Sequence, residues 1–274
     1  MVWIPTVRKQ QKLKVRSVFI SDIHLGFKGC QADSLLHFLH SVETEYLFLV
    51  GDIVDFWAIM KNPTWPQKHT NVIRSILGKA KHETKVIYVP GNHDDSMRDY
   101  VGHKFGNVEI HRDYVHTTVD GRKLLVMHGD EFDLIVKNSR WLSNLGSYLY
   151  DKLLSLNHIV NGIRRLFNSS YWSLAAYLKH KVKNAVDYIG NFEDALAHFA
   201  EERGVDGVVC GHIHHAEIRD INGILYCNDG DWVESCTSLI EYNDGQLEIL
   251  HWENNFEQST ISELEEILGT RDAA

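Results

Sequence analysis

The chain has 274 residues, of which 44% are apolar, and its formal net charge is −9 at pH 7. The length suits one large domain, or a domain that carries a subdomain, with a full apolar core. No apolar run approaches the roughly 18 uncharged residues that a membrane-spanning helix needs, and the acidic balance argues against broad nucleic-acid binding.

Short apolar segments alternate with segments of helical apolar spacing along the chain. The expected strands are Val15–Ile20, Tyr46–Val50, Lys85–Val89, Lys123–Met127 and Gly207–Cys210, and the expected helices are Leu35–Val42 and Val72–Ala80. This alternation predicts an α/β fold whose strands are buried on both faces. The C-terminal part, Ile218–Trp252, is β-rich and is expected to form a second sheet packed on the first.

Each of the five expected strands ends in a polar cluster. In chain order the clusters are Ser21-Asp22-Ile23-His24-Leu25-Gly26, Gly51-Asp52-Ile53-Val54-Asp55, Gly91-Asn92-His93-Asp94, His128-Gly129-Asp130 and Gly211-His212-Ile213-His214. Because the loops at the carboxyl ends of strands converge in α/β sheets, these clusters are expected to meet. Members of an Asp-x-His or His-x-His pair lie two residues apart, which places them on one side of an extended segment.

Oxygen and imidazole ligands without thiolates suit Mn²⁺, Fe, Zn²⁺ or Mg²⁺. Each fragment alone also fits ordinary structure, such as a helix N-cap at Gly51–Asp55 or a turn at Gly91–Asp94. All five together, each after a buried strand, favour a metal centre. Three nearby carboxylates are either acceptors that orient histidine rings or plain loop and cap residues: Asp55, Asp94 and Asp130. The four cysteines are far apart, which favours reduced thiols.

The order Asp-x-His, Gly-Asp, Gly-Asn-His-Asp, His-Gly-Asp, Gly-His-x-His resembles the pattern of the calcineurin-like metallophosphoesterases, from about Val18 to about Glu241. The resemblance implies a four-layer αββα sandwich with two divalent metal ions at the strand ends. We expect Mn²⁺ to be preferred, with Fe, Zn²⁺ or Mg²⁺ as alternatives. The implied reaction is hydrolysis of a phosphoester or phosphoanhydride, in which a metal-bridging hydroxide attacks phosphorus.

Ligand roles follow from the resemblance position by position. Asp22, His24 and His214 are expected to hold the first metal, and Asn92, His128 and His212 the second, with Asp52 bridging the two. Asp52 and His93 are the expected catalytic residues. His93 corresponds to the family's substrate-facing histidine, expected either to protonate the leaving oxygen or to stabilise the transition state.

A long segment separates the last two clusters, and it is basic in an otherwise acidic chain. From Lys137 to Lys183 it has eight basic residues and one acidic residue, with apolar and aromatic residues at helical spacing. Within one domain spanning 1–274, residues 135–190 are therefore expected to form an inserted helical cap, suited to a membrane surface or an amphiphilic anion. The alternative is an ordinary helical hairpin with a solvated basic face.

Such a cap resembles the UDP-2,3-diacylglucosamine diphosphatases of lipid A synthesis. Segments 171–194 and 228–237 carry the likeness, which implies cleavage of a pyrophosphate to UMP and a lipid monosaccharide phosphate. Better-known members have an arginine where this chain has His93, as the wider superfamily does. The expected substrate contacts are Asn92 and His93, together with Lys179, Lys181 and Lys183.

Two other functions remain open from the sequence. One is a general phosphodiesterase or pyrophosphatase for soluble nucleotides, and the other is an inactive scaffold with the same fold. Scaffold relatives lose ligands, whereas every expected position is filled here. The expected partner is a phosphorylated or nucleotide-linked lipid rather than nucleic acid. The N-terminus lacks the charge order of a secretory signal, so we expect a cytoplasmic protein with peripheral contact at the inner face of the membrane.

Overall fold

The structure, a computed structural model, describes residues 12–134 and 174–252, and the side chains of 134 and 174–187 lie outside this description. The strands are β1 (Leu13–Ile20), β2 (Val42–Val50), β3 (Lys85–Val89), β4 (Lys104–Phe105), β5 (Val108–Ile110), β6 (Tyr114–Thr117), β7 (Lys123–Val126), β8 (Gly207–Cys210), β9 (Glu217–Ile221), β10 (Ile224–Asn228), β11 (Thr237–Glu241) and β12 (Leu247–His251). The helices are α1 (Ala32–Ser41), α2 (Phe56–Lys61), α3 (Gln67–Lys81) and α4 (Leu174–Glu202), with short 3₁₀ helices at Asp95–Tyr100 and Asp130–Leu134.

The chain divides into two compact units. One contains residues 1–130 and 200–274, and the other contains residues 131–199. All the strands named above lie in the first unit. Of the expected cap, residues 135–173 lie outside the described part of the chain, and the cap stays a prediction. Among the described residues, no helix combines the length and apolarity needed to cross a membrane.

Two sheets form the first unit. The larger sheet has the order β12-β11-β1-β2-β3-β5-β4, and the smaller has the order β6-β7-β8-β10-β9. Parallel pairing joins β1, β2, β3 and β5 in one sheet and β7, β8 and β10 in the other. The α/β sandwich expected from the sequence is confirmed, but the expectation for the C-terminal part was wrong. That part divides between the sheets, because β9 and β10 join the smaller sheet while β11 and β12 extend the larger one.

Apolar side chains fill both faces of the larger sheet. Phe19 and Phe48 stack with ring centroids 4.5 Å apart and face Leu124 and Val209 of the smaller sheet in one buried cluster. On the opposite face, buried residues of α1 and α3 such as Phe38 pack against the strands. The second halves of β1, β2 and β3 are buried, and each strand ends in a continuous apolar run, as expected for strands covered on both faces.

One buried carboxylate, Glu241 on β11, ties the two sheets together. It accepts hydrogen bonds from Ser17 Oγ on β1 (2.5 Å) and the backbone N–H of Val119 (2.9 Å), pairs with Arg16 Nη1 (2.7 Å), and lies 2.7 Å from His116 Nε2 on β6. Burial acts to raise the pKa of Glu241, but the bonds from His116, Ser17, Val119 and Arg16 outweigh it and hold the pKa at about 2. The sheets are thus joined by a charged network as well as by apolar packing.

We expect Glu241→Gln to lower the free energy of unfolding by about 3 kcal/mol, since it removes the charge to which buried His116 and Arg16 bind. The ordinary pKa of 4.5 falls to about 2 in the fold, so this stabilisation is complete above pH 4.5 and is lost as pH falls towards 2. Urea unfolding at pH 7 and pH 3 measures both effects. Glu248→Gln, at an exposed position of β12, should change neither value, and a Glu241→Gln protein as stable as wild type at pH 7 would contradict the network's role.

Candidate metal centre

Polar side chains that follow five strands meet at one edge of the sandwich. They come from the ends of β1, β2 and β3 in the larger sheet and of β7 and β8 in the smaller sheet. The loops are joined directly: Asp22 N–H donates to Gly51 O (3.1 Å), and His212 N–H donates to Asp22 Oδ2 (2.8 Å). The loops that the sequence predicts to converge lie together, and they come from both sheets.

Three groups of side chains each place their ligand atoms within 4.8 Å of one another. The groups are Asp22, His24 and His214; Asp52, His128 and His212; and His24, Asp52 and His93. The first two bring together residues of the two ligand sets that the family resemblance implies, without Asn92, and Asp52 belongs to two of the three groups. The carboxylate expected to bridge therefore lies between the others.

The spacing of the donor atoms fits a bound cation. His214 Nε2 lies 3.1 Å from Asp22 Oδ1, His24 Nε2 lies 3.7 Å from the same oxygen, and His128 Nε2 lies 3.4 Å from Asp52 Oδ2. Two ligands about 2.1 Å from one ion lie roughly 3.0 to 3.4 Å apart in octahedral or tetrahedral geometry. Oxygen and nitrogen donors at these distances suit a divalent metal of the first transition row.

The imidazoles have the orientation that a metal ligand needs. His128 Nδ1 donates to the buried carbonyl of Val50 (2.8 Å), and His24 Nδ1 lies 3.1 Å from Asp55 Oδ2. Each contact leaves Nε2 facing the pocket. His128 Nε2 and Asn92 Oδ1 are buried and make no hydrogen bond within the described part of the chain. Buried polar atoms without a partner are positions at which a metal ion would supply the missing contact.

Electrostatics in the pocket also favour cations. Burial acts to lower the pKa of His24, but Asp22, Asp55 and Asp52 together raise it to about 10. Burial acts to raise the pKa of Asp22, but His214, His24 and His128 hold it well below its ordinary value. The pocket therefore attracts positive charge, which protons supply when no other cation is bound.

Five of the expected ligands have left-handed backbone, a conformation that side chains with a Cβ rarely adopt. Their φ angles are 48° at Asp22, 53° at His24, 53° at Asp52, 70° at His212 and 53° at His214. Such strain concentrates at functional sites and persists only where the surrounding structure imposes it. Glycines provide room here: a Cβ at Gly51 would overlap the His128 ring, and one at Gly91 would overlap Asp52 Oδ1.

The three nearby carboxylates have different roles. Asp55 binds histidines, since Oδ2 lies 3.1 Å from His24 Nδ1 and Oδ1 lies 3.0 Å from His93 Nδ1. It is also the N-cap of α2, where Oδ1 accepts from Ala58 N–H (2.7 Å). Both interpretations of this residue therefore hold. Asp130 instead pairs with Arg98 at 2.7 Å.

Asp94 orients backbone rather than a histidine ring. Its buried carboxylate accepts from the backbone N–H groups of Gly91 (2.6 Å), Asp52 (3.3 Å) and Ile53 (2.8 Å), as well as from the Tyr88 hydroxyl. It thereby joins the loop after β3 to the loop after β2. This role depends on two distant loops meeting, so sequence spacing could not reveal it.

Other expected and unexpected residues complete the site. His93 lies beside Asp52, with Nε2 4.0 Å from Oδ2, and its ring contacts that of Trp57, which no motif indicated. Lys179, Lys181 and Lys183 lie on α4, and their side chains are outside the described part. Cys30, Cys210, Cys227 and Cys236 are buried free thiols.

Replacing Asp52 separates backbone strain from ligand chemistry. Asp52→Gly and Asp52→Ala both remove the carboxylate, but only glycine accepts φ 53° without cost. We expect metal-free Asp52→Gly to be about 1 kcal/mol more stable than metal-free Asp52→Ala in urea unfolding. Equal stabilities would show that this backbone is not strained.

Cation binding should release protons. With a pKa of about 10, His24 is protonated at pH 7 in the metal-free protein, so a cation must displace that proton. We expect apparent Mn²⁺ affinity to rise with pH from 6 to 8. Calorimetric titration in two buffers of different ionisation enthalpy should give about one or more protons released per chain at pH 7.

Asp55→Asn is the comparison variant for this measurement, because it removes a charge that raises the pKa of His24. It should release fewer protons than wild type. Identical heats in the two buffers for the wild-type protein would refute the competition between protons and cations.

Comparison with curated proteins finds relatives of two kinds. The UDP-2,3-diacylglucosamine hydrolase of Neisseria meningitidis serogroup B is 26% identical over 248 residues, which cover 84% of this chain and 95% of the relative. That of Aliivibrio fischeri is 25% identical, covering 83% and 94%. The DNA polymerase II small subunit of Methanothermobacter thermautotrophicus is 24% identical over 57% of this chain, and the match spans 39% of that protein's length.

The family model of the calcineurin-like phosphoesterases matches residues 15–216. This range includes all seven expected metal ligands and His93. Because the match covers most of the chain, the protein belongs to the calcineurin-like phosphoesterases, a family of metal-dependent phosphoester hydrolases.

Proposed function

We propose that the protein hydrolyses the pyrophosphate of a nucleotide-linked lipid similar to UDP-diacylglucosamine, releasing UMP and a lipid monosaccharide phosphate. The observation that carries the chemistry is the meeting of carboxylates and imidazoles in three overlapping groups, within each of which the donor atoms lie within 4.8 Å of one another. The substrate class is supported by relatives named UDP-2,3-diacylglucosamine hydrolase, which align over nearly their whole length.

The expected ligands form two sets, one for each of two divalent ions. In the proposal, Asp22, His24 and His214 hold one ion, and Asn92, His128 and His212 hold the other, with Asp52 shared. When bound, the ions supply an activated water and neutralise charge on the phosphoryl oxygens. Mn²⁺ is the proposed metal, in keeping with a donor set of oxygen and nitrogen without sulfur.

His93 is the proposed contact to the reacting phosphoryl group. Asp55 holds its Nδ1 at 3.0 Å, which leaves Nε2 directed towards Asp52 Oδ2 at 4.0 Å. From this position Nε2 donates a hydrogen bond or a proton to a phosphoryl or leaving oxygen. A histidine serves either role through a single N–H, whereas an arginine would offer two parallel donors and a fixed charge.

The substrate needs contacts beyond the metal ligands. We place its lipid portion against a helical cap at 135–190, with Lys179, Lys181 and Lys183 as diphosphate contacts. The basic character of this segment suits an anionic amphiphile. On this basis we also propose that the protein works in the cytoplasm, in peripheral contact with the inner face of the membrane.

A substrate comparison tests the proposal. With Mn²⁺ present, kcat/KM for UDP-2,3-diacylglucosamine should exceed that for UDP-glucose and bis(4-nitrophenyl) phosphate by about 100-fold, since binding of the acyl chains contributes to transition-state stabilisation. Mass spectrometry should identify UMP and a lipid phosphate as products. Turnover of only the soluble compounds would refute the lipid assignment, and cleavage of single- or double-stranded DNA would point to a nuclease.

Two aspartate variants control this assay. Asp52→Ala should lose bound Mn²⁺, measured by elemental analysis, and should slow turnover by at least about 10³-fold. Asp99→Ala, at an exposed position after the Gly91–Asp94 loop, should retain both metal and rate. An Asp52→Ala protein with full metal content and full activity would overturn the proposed centre.

A further inference from the structure

Trp57 contacts the ring of His93, and the sequence patterns gave no reason to expect this. The two ring centroids are 4.2 Å apart with an interplanar angle of 37°. Trp57 is 49% exposed, and none of the residues of its helix, α2, is buried. A half-exposed indole on a surface helix is therefore directed onto a residue of the proposed active site rather than into the core.

The His93 ring is held on three sides. Asp55 Oδ1 lies 3.0 Å from Nδ1, the His24 ring meets it edge to face with centroids 4.6 Å apart, and Trp57 covers one of its faces. Phe56 N–H also donates to the His93 carbonyl at 3.1 Å, which fixes α2 beside this backbone. The Nε2 edge remains directed towards the pocket, 4.0 Å from Asp52 Oδ2.

We infer that Trp57 is a positioning residue for His93 and that it determines how well Nε2 reaches the leaving oxygen. This inference rests on the hydrolase function proposed above. The contact of Nδ1 with Asp55 Oδ1 at 3.0 Å is a single point of attachment about which the imidazole can tilt, so Asp55 alone does not fix the ring plane. A flat aromatic surface packed on the imidazole prevents this tilting. It keeps Nε2 within the narrow range of positions from which a proton can be transferred to an oxygen.

The competing explanation is that the contact only attaches α2 to the body of the protein. In that case the loss of Trp57 would lower stability or metal content, and its effect on rate would not depend on His93. If Trp57 acts through His93, its loss should have no further effect once His93 is removed. The difference between the two explanations is therefore measurable as an interaction energy between the two sites.

The test compares Trp57→Ala, Trp57→Phe, His93→Ala and the Trp57→Ala/His93→Ala double variant in the Mn²⁺-loaded enzyme. Two phosphodiesters serve as probes: bis(4-nitrophenyl) phosphate, whose leaving group needs little help, and diphenyl phosphate, whose leaving group needs a proton. We expect Trp57→Ala to lower kcat about 10-fold on diphenyl phosphate and about 2-fold on the nitrophenyl ester. These losses of kcat are smaller than the loss expected from His93→Ala, which is roughly 10²-fold or more.

Three further results are expected. KM should stay within about twofold, Trp57→Phe should restore most of the rate, and the double variant should be no slower than His93→Ala. Met60→Ala is the matched control, because Met60 lies on the same helix and is 76% exposed. If Trp57→Ala lowered kcat by the same factor with and without His93, or by the same factor on both esters, the inference would be overturned.

A second measurement does not depend on activity. The Trp57 ring current should shift the His93 ring C–H signals upfield in a ¹H–¹³C spectrum, with the signals assigned through His93→Gln. Trp57→Ala should return them to ordinary values, whereas Met60→Ala should not. Unshifted signals in the wild-type protein would overturn the positioning role. An inactive wild-type enzyme with shifted signals would instead refute the proposed function and leave the contact established.

Discussion

Two buried carboxylates in one pocket are the constraint on which the rest of this structure depends. Asp22 and Asp52 are both nearly inaccessible to water, and like charges at such close range raise the free energy of the fold unless positive charge accompanies them. Imidazoles supply that charge in the metal-free protein, and divalent ions would supply more of it. The pocket must therefore bind positive charge for the protein to be stable.

The local cost of this arrangement is visible in the backbone around it. The ligands have left-handed backbone conformations, and the loops approach one another closely at Gly51 and Gly91. The Asp94 carboxylate holds these loops together by accepting several backbone N–H groups. The double-sided apolar packing of β1, β2 and β3 provides the rigid frame against which such loops can be held. The free energy gained by packing the core thus offsets the strain in the backbone of the site.

Sequence patterns predict the parts of this protein that are local. The bounds of β3 and β8 match the expected apolar runs, and the polar residues at the strand ends lie at the site. Both features follow from the local pattern of apolar and polar residues along the chain. The division of the C-terminal part between two sheets was not predictable, since apolar alternation does not specify which sheet a strand joins. The roles of Asp94 and Trp57 depend on loops that meet from different strands, and no spacing rule describes such contacts.

The joining of Asp22 to His214 has a consequence for how the protein matures. The two side chains are in contact at 3.1 Å although 192 positions separate them along the chain. During synthesis, the first half of the molecule can complete β1 to β3 long before the histidine partner leaves the ribosome. The complete ion site, with both Asp22 and His214, therefore forms only after the second sheet has docked, so a cation held by both residues would bind late in folding. In a cell, the supply of the divalent metal would then limit how much of the folded protein is active rather than how much of it folds.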